Sequence, residues 1–356
     1  MIIHSKFKNY EVKIEKSLEF LSDVLNTDNA EFVVDKKVYY LYEQILERIP
    51  QERLILIEAV EENKIIETAL SICEKMTEIP AKRNASMISM GGGVIQDITG
   101  FAANILYRGI KWIFIPTTLL ACCDSCIGGK TSLNYKNYKN LLGTFYPPDV
   151  IYICPAFLHT LDRKDFYSGL GEVIKFNIMA GEAGLNNIEL YIDKLLECDE
   201  IVINRFVESS LLFKKEFIEI DEFDRGERIK LNFAHTFGHA IETVTKYEIP
   251  HGTAVAIGMI MADYISVSRG ILKEEISKRV EKVLLQVICI DVELTGYPVE
   301  DFIVAIRKDK KQTNENLTAV LMTNVAKDLK IVHDISEVEV IDAITHFASV
   351  YSVYKS

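Results

Sequence analysis

Ser86-Met87-Ile88-Ser89-Met90-Gly91-Gly92-Gly93-Val94-Ile95-Gln96-Asp97 is the stretch that decides the fold. Residues 86–90 read as a short strand, three glycines follow, and the pattern then becomes helical. The order strand, glycine turn, helix is that of a nucleotide-binding α/β unit. Glycine lets backbone N–H groups come close to a phosphate, and a helix N-terminus favours negative charge. The turn is therefore a candidate phosphate or dinucleotide site. Its spacing is not GxGxxG, so an ordinary Rossmann dehydrogenase is not indicated.

Similar strand-length runs flank it at 31–35, 53–57 and 112–116. A helical stretch through Tyr42 and Leu46, and an amphipathic helix over 61–78 carrying Ile65, Ala69, Ile72 and Met76, lie between them. Strands alternating with helices predict a mostly parallel sheet. After about residue 160 the strand signal fades, and helices are predicted over 163–180, 200–218, 230–246, 252–270 and 274–288. Only 317–322 and 329–332 read as strands again. The expected division is 1–160, an α/β half, and 161–356, a mostly helical half, with a cleft between them as the default ligand site.

A chain of 356 residues exceeds what one core usually supports. With 40 Lys+Arg against 52 Asp+Glu the net charge is −12, which argues against broad nucleic-acid binding but not against a local anion pocket. No apolar run reaches membrane-helix length, and the first residues lack a signal-peptide pattern. Seven irregularly spaced cysteines suit a reducing cytoplasm better than a disulfide framework.

Asp124-Ser125-Cys126-Ile127-Gly128-Gly129-Lys130-Thr131 resembles the tail of a P-loop, but Asp124 stands where that motif needs its first glycine. The turn still suits an anion, and Lys136, Lys139 and Asn140 follow in a Tyr- and Asn-rich loop. Cys123 and Cys126 have CxxC spacing without a second ligand pair, so buried packing is the preferred reading. Glu172 and Lys175 lie three apart among apolar neighbours. His235, His239 and His251 cluster near Glu242, a good divalent-metal set; spacing alone selects His235 and His239 as a ligand pair.

In this order the segments GGGVIQDITGF (91–101), YRG (107–109), PTTLLACCDSCIGGKTSLN (116–134), KNLLGTFYPP (139–148), SGLGEVIK (168–175), LNFAHTFGHAIE (231–242), HGTAVAIGM (251–259) and DKK (309–311) resemble the 3-dehydroquinate synthase family of sugar-phosphate cyclases. The resemblance implies an N-terminal Rossmann-like NAD-binding domain and a C-terminal helical metal- and substrate-binding domain, usually in a cytoplasmic homodimer. It implies NAD and one divalent ion, zinc or cobalt, as cofactors. The implied substrate is 3-deoxy-D-arabino-heptulosonate 7-phosphate, converted to 3-dehydroquinate and phosphate. No nucleic acid or membrane partner is implied.

Position by position, the resemblance makes Glu172, His235 and His251 the metal ligands, and moves His239 to the substrate. NAD would meet Asp35, Glu61, Lys64, Gly92, Gly93, Asp97, Thr117, Thr118, Lys130, Lys139 and the segment Phe157-Leu158-His159-Thr160. Substrate would meet Arg108, Asp124, Lys130, Asn140, Lys175, Lys214, Arg228, Asn232, His239 and Lys310 or Lys311. The segment Val60-Glu61-Glu62-Asn63-Lys64 lacks the glycine common in the family. A sister cyclase acting on sedoheptulose 7-phosphate or glucose 6-phosphate is the nearest alternative. A metal-dependent polyol dehydrogenase is a more distant one. Lys214, Asn232, the intact Gly-Gly-Lys-Thr and Asp-Lys-Lys favour the dehydroquinate type.

Overall fold

The computed structural model describes residues 1–78, 84–136, 138–308, 317–324 and 328–356. Its packing divides into two units, Met1–Leu161 and Asp162–Ser356. The strands of the first unit are β1 (Ile2–Ile3), β2 (Tyr10–Ile14), β3 (Ala30–Asp35), β4 (Leu54–Ile57), β5 (Ser86–Gly91), β6 (Lys111–Pro116), β7 (Lys130–Tyr135), β8 (Tyr138–Phe145) and β9 (Val150–Ile153). Seven of them form one sheet in the order β1-β2-β9-β6-β5-β3-β4, parallel apart from the β1–β2 pair. Phe32, Val34, Ile88, Met90 and Ile115 are buried in its core beside Phe157. A strand covered on both faces needs mostly apolar side chains in both directions, which explains the largely apolar composition of β3 and β5.

Strand order sets the position of the glycine turn. The chain runs from β3 outward to β4, then returns past β3 to β5 and continues toward β6 and β9. The direction of winding reverses between β3 and β5, where open α/β sheets leave a crevice at the strand ends. Asp35 closes β3 and Gly91 closes β5 at that point.

The second unit carries the helices Arg163–Met179, Glu182–Leu196, Glu200–Ile220, His235–Val244, His251–Ser268, Glu274–Val287, Val299–Lys308 and Glu337–Lys355. It also carries the hairpin β10 (Leu317–Met322) and β11 (Leu329–Ile335). Helix His251–Ser268 is buried on nearly every side, as its almost wholly apolar sequence requires. It packs against His235–Val244, Arg163–Met179, Glu274–Val287 and Glu337–Lys355. Gly270, at φ +68°, ends it in the left-handed conformation that an L side chain resists.

Several expectations change. The loop expected around Lys136 to Asn140 belongs to the β7–β8 hairpin. The helix expected over 61–78 begins at Ile66, because Lys64 is drawn aside into an ion pair with Asp97. The helix expected over 230–246 begins only at His235, because Ala234 takes a left-handed φ of 67° after a 3₁₀ turn over Glu227–Asn232. β2, β9 and the helices Glu182–Leu196, Val299–Lys308 and Glu337–Lys355 were not anticipated. Among the described residues, no helix is long and apolar enough to cross a membrane.

The C-terminal helix is fixed by a capping box between Ser336 and Glu339. Arg269 grips the same Glu339 with two nitrogens, at 2.6 and 2.9 Å. That hydrogen bonding outweighs burial and holds the Glu339 carboxyl down at about 2. A lowered folded-state value means stability that is present above the unfolded value and lost as pH falls. Glu339→Gln is therefore expected to cost ~1 kcal/mol at neutral pH, a partly exposed pair being screened by solvent. The gap between the two proteins should close as pH drops from ~4.3, the ordinary Glu value, toward about 2. Denaturant melts at neutral and acid pH read this directly, and a gap that stays constant would exclude the linkage.

Candidate functional site

Three helices of the second unit bring Glu172, His235 and His251 together. Glu172 lies within Arg163–Met179, whereas each histidine is the first residue of its helix. Both imidazole Nε2 atoms lie 3.5 Å from Glu172 Oε1, and one ligand atom from each residue falls within 4.8 Å of the others. A tetrahedral ion with bonds of about 2.0–2.2 Å needs donors roughly 3.3–3.6 Å apart. The far ring nitrogens are engaged: His235 Nδ1 faces Phe233 O at 3.0 Å, and His251 Nδ1 faces Glu242 Oε2 at 3.1 Å. Both Nε2 atoms face Glu172 Oε1, and this donor set fits zinc or a similar divalent metal.

The backbone explains the convergence. A methyl group built on Gly252 would overlap the Ser168 carbonyl, and one on Gly171 would overlap the Gly252 carbonyl. The two helices touch main chain to main chain there, and Ser168 Oγ accepts the Gly252 N–H at 3.0 Å. Lys175 Nζ stands 2.5 Å from Glu172 Oε2, with both side chains buried, and donates to Leu231 O at 3.2 Å. The i, i+4 pair His235 and His239 does not form one ligand group among the described residues. Each joins His251 instead, His239 through a second set with Glu242. Spacing on one helix could not reveal a partner from another.

Burial by itself would lower the His251 imidazole. Hydrogen bonds and charge from Glu172 and Glu242 outweigh that and push it up to about 10. A bound cation would take over the role of that proton, so uptake of the ion is coupled to proton release.

Other cations gather in the same unit. Lys214 is buried in Glu200–Ile220, and Arg228 is buried with Nη1 donating to Glu222 O at 2.5 Å. Asn232 caps its own turn through Ile229 O at 3.0 Å. His239 sits with its ring 5.3 Å from that of His235. Lys310 and Lys311 lie outside the described residues.

In the first unit the glycine turn opens helix Gly93–Ile105, as the sequence predicts. A methyl group on Gly91 would meet Asp35 Cβ at 3.3 Å, and one on Gly92 would meet Thr118 Cγ2 at 3.0 Å. Asp35, Gly92, Gly93 and Thr118 thus share the switch point, and Thr117 N–H donates to Gly91 O at 3.0 Å. Gln96 and Ser125 exchange hydrogen bonds of 2.7 and 2.6 Å, tying this helix to the π-turn Ala121–Ser125 that contains Asp124. The open cradle and the helix N-terminus fit a dinucleotide pyrophosphate.

A second polar cluster joins residues scattered in sequence. Buried Lys64 contacts Asp97 Oδ2 at 2.5 Å and Asn140 Oδ1 at 2.6 Å. Ser132 donates to Asp97, and Asn134 Nδ2 reaches Glu61 Oε1 at 2.8 Å, with Lys139 Nζ 3.9 Å from that oxygen. Lys130 begins the same hairpin. Ser132 and Asn134 were not singled out in the sequence, although both lie at the end of the matching segment 116–134. Arg108 stands between Tyr107 and Gly109 in a run of three positive φ values, 51°, 67° and 111°. Phe157 and Leu158 are buried, Phe157 in the sheet core, while His159 and Thr160 are exposed. Cys122, Cys123 and Cys126 are buried thiols, in keeping with the packing reading.

Residues 54–168 match the family described as 3-dehydroquinate synthase N-terminal, and 169–312 that described as 3-dehydroquinate synthase C-terminal. The chain is 36% identical over 347 residues to the 3-dehydroquinate synthase of Dictyoglomus thermophilum, covering 96% of each. It is similar in structure to the 2-epi-5-epi-valiolone synthase of Streptomyces hygroscopicus subsp. jinggangensis, solved with NAD+ and Zn2+ bound: TM-score 0.85, 27% identity, 98% of this chain and 99% of that one. A 2-deoxy-scyllo-inosose synthase solved with carbaglucose-6-phosphate, NAD+ and Co2+ shares the fold at TM-score 0.78 and 20% identity, over 97% and 99% of the two chains.

The helix contact yields a test. Gly252→Ala should lose about 1–3 kcal/mol or more from overpacking and should retain less zinc after dialysis. Gly270→Ala, at a position with φ +68° and nothing within 4 Å of the new methyl, should cost ~1 kcal/mol and keep its zinc. Melting curves and elemental analysis of both variants decide it. Equal zinc content would disconnect the contact from the ligand set.

Proposed function

The chain belongs to the 3-dehydroquinate synthase family, and from that premise we propose that it converts 3-deoxy-D-arabino-heptulosonate 7-phosphate to 3-dehydroquinate and phosphate in the shikimate route. The observation that carries this reading is the convergence of Glu172, His235 and His251 on one ion-sized point. The reaction consists of oxidation at one carbinol, elimination of phosphate, reduction, and intramolecular aldol closure, with no net redox change. Bound NAD supplies a hydride acceptor that returns its hydride within the turnover, and bound zinc or cobalt supplies Lewis acidity.

We assign NAD to the unit 1–160, on Asp35, Glu61, Lys64, Gly92, Gly93, Asp97, Thr117, Thr118, Lys130, Lys139 and 157–160. We assign the metal and most substrate contacts to 161–356. Glu172, His235 and His251 hold the ion, and Lys175 fixes the Glu172 carboxylate. The substrate carries a phosphate and a carboxylate, so an acidic chain must concentrate cations locally. Arg108, Lys130, Lys214, Arg228 and Lys310 or Lys311 do this, with arginine suited to bidentate anion contacts. Asp124, Asn140 and Asn232 orient hydroxyl groups, and His239 relays a proton during phosphate loss. The resemblance supports a cytoplasmic homodimer.

Phosphate release across a panel of six- and seven-carbon sugar phosphates tests the reading. Release is expected with the heptulosonate phosphate, with no net change in NADH absorbance. Activity confined to sedoheptulose 7-phosphate or glucose 6-phosphate would transfer the chain to a sister cyclase. Net NADH formation with a polyol would make it a dehydrogenase. His235→Ala is expected to abolish both zinc retention and phosphate release, and full zinc occupancy in that variant would refute the ligand set.

A further inference from the structure

Two groups of ligand-type side chains share one imidazole. Glu172 and His235 meet His251 on one side, and His239 and Glu242 meet it on the other. The ring turns Nε2 toward Glu172 Oε1 at 3.5 Å and Nδ1 toward Glu242 Oε2 at 3.1 Å. A carboxylate at hydrogen-bond distance from Nδ1 holds a proton there, which leaves the Nε2 lone pair for a metal. We propose that Glu242 is a positioning residue: it fixes the tautomer and ring orientation of His251, so that Nε2 completes the ion site with Glu172 and His235. The inference rests on the metal-dependent reading above and names a residue which that reading leaves without a role.

Its place in the fold supports this. Glu242 and His235 lie two helical turns apart on His235–Val244, so they project from the same side of that helix. One short helix thus supplies a ligand and also orients the ligand of the next helix. Glu242 is only 14% exposed, so its contact with the ring is largely shielded from water. The other histidine needs no such side chain, because His235 Nδ1 already faces the Phe233 carbonyl at 3.0 Å. Of the two orienting contacts, the one to Glu242 alone can be removed by substitution.

The full-length chain loaded with one equivalent of zinc is titrated with a chromogenic chelator, as wild type, Glu242→Ala and Glu242→Gln. Glu242→Ala is expected to bind zinc about 10–100-fold more weakly. Glu242→Gln keeps an acceptor oxygen without the charge and should fall between. The visible spectrum of the cobalt-loaded protein should change in Glu242→Ala, reporting altered ligand geometry. The metal-free forms should melt within about 2 °C of one another, less than the shift of a 1 kcal/mol loss. Wild-type affinity in Glu242→Ala would overturn the inference, and so would a metal-free variant destabilised enough to account for the loss. A second zinc equivalent that disappears in both Glu242→Ala and His239→Ala would make Glu242 a ligand, overturning it as well. Wild-type protein that holds no zinc would overturn the metal-dependent reading itself, an outcome distinct from the others.

Discussion

The second unit depends on one backbone contact. Helices Arg163–Met179 and His251–Ser268 approach so closely at Gly171 and Gly252 that neither position has room for a Cβ. That contact brings a carboxylate in the middle of one helix to the imidazole that begins another. Helix His235–Val244 is drawn in the same way, because Gly258 faces the Ala234 carbonyl and Gly238 faces Val255. Side chains carried on separate rigid helices hold their mutual geometry by packing alone, whereas side chains on loops would need a further contact to order them. The left-handed Ala234 is part of the same arrangement: it starts the helix at His235 and turns that side chain inward.

Charge is organised on the same principle. The chain carries a formal charge of −12, yet it buries Lys64, Lys175, Lys214 and Arg228. A buried ion left without its partner costs about 3–5 kcal/mol, so each buried cation must be placed against an acceptor. Lys175 lies against Glu172, Lys64 against Asp97, and Arg228 against a main-chain carbonyl. These pairs do little for net stability. They keep cations and carboxylates in fixed orientations within a low-dielectric interior, where charges interact more strongly than in water.

In the first unit the corresponding constraint is strand order. Reversal of winding between β3 and β5 sets Asp35 beside the glycine turn, although more than fifty residues separate them in the chain. Locking the turn from behind falls to side-chain hydrogen bonds between segments distant in sequence, chiefly Gln96 with Ser125, and to Thr118 with the Ala121 N–H. A fold of this kind can serve many reactions. What narrows the choice is the set of side chains that the fold brings together.

The amino-acid sequence alone determined the α/β character of the first half, the glycine turn at the start of a helix, the helical second half and a cluster of histidines and carboxylates of the kind that suits a divalent ion. All of these are local: hydrophobic period, glycine runs and residue chemistry act over a few positions. It did not reveal the β7–β8 hairpin, whose second strand is largely exposed and lacks a clear alternation. Spacing favoured His235 with His239, because a single helix shows only its own i, i+4 neighbours. Tertiary structure decided that His235 pairs with Glu172 and His251, that Glu242 stands behind His251, and that Ser132 and Asn134 join Lys64 and Asp97. Those contacts form between elements distant in the chain, and only packed backbones fix which side chains meet.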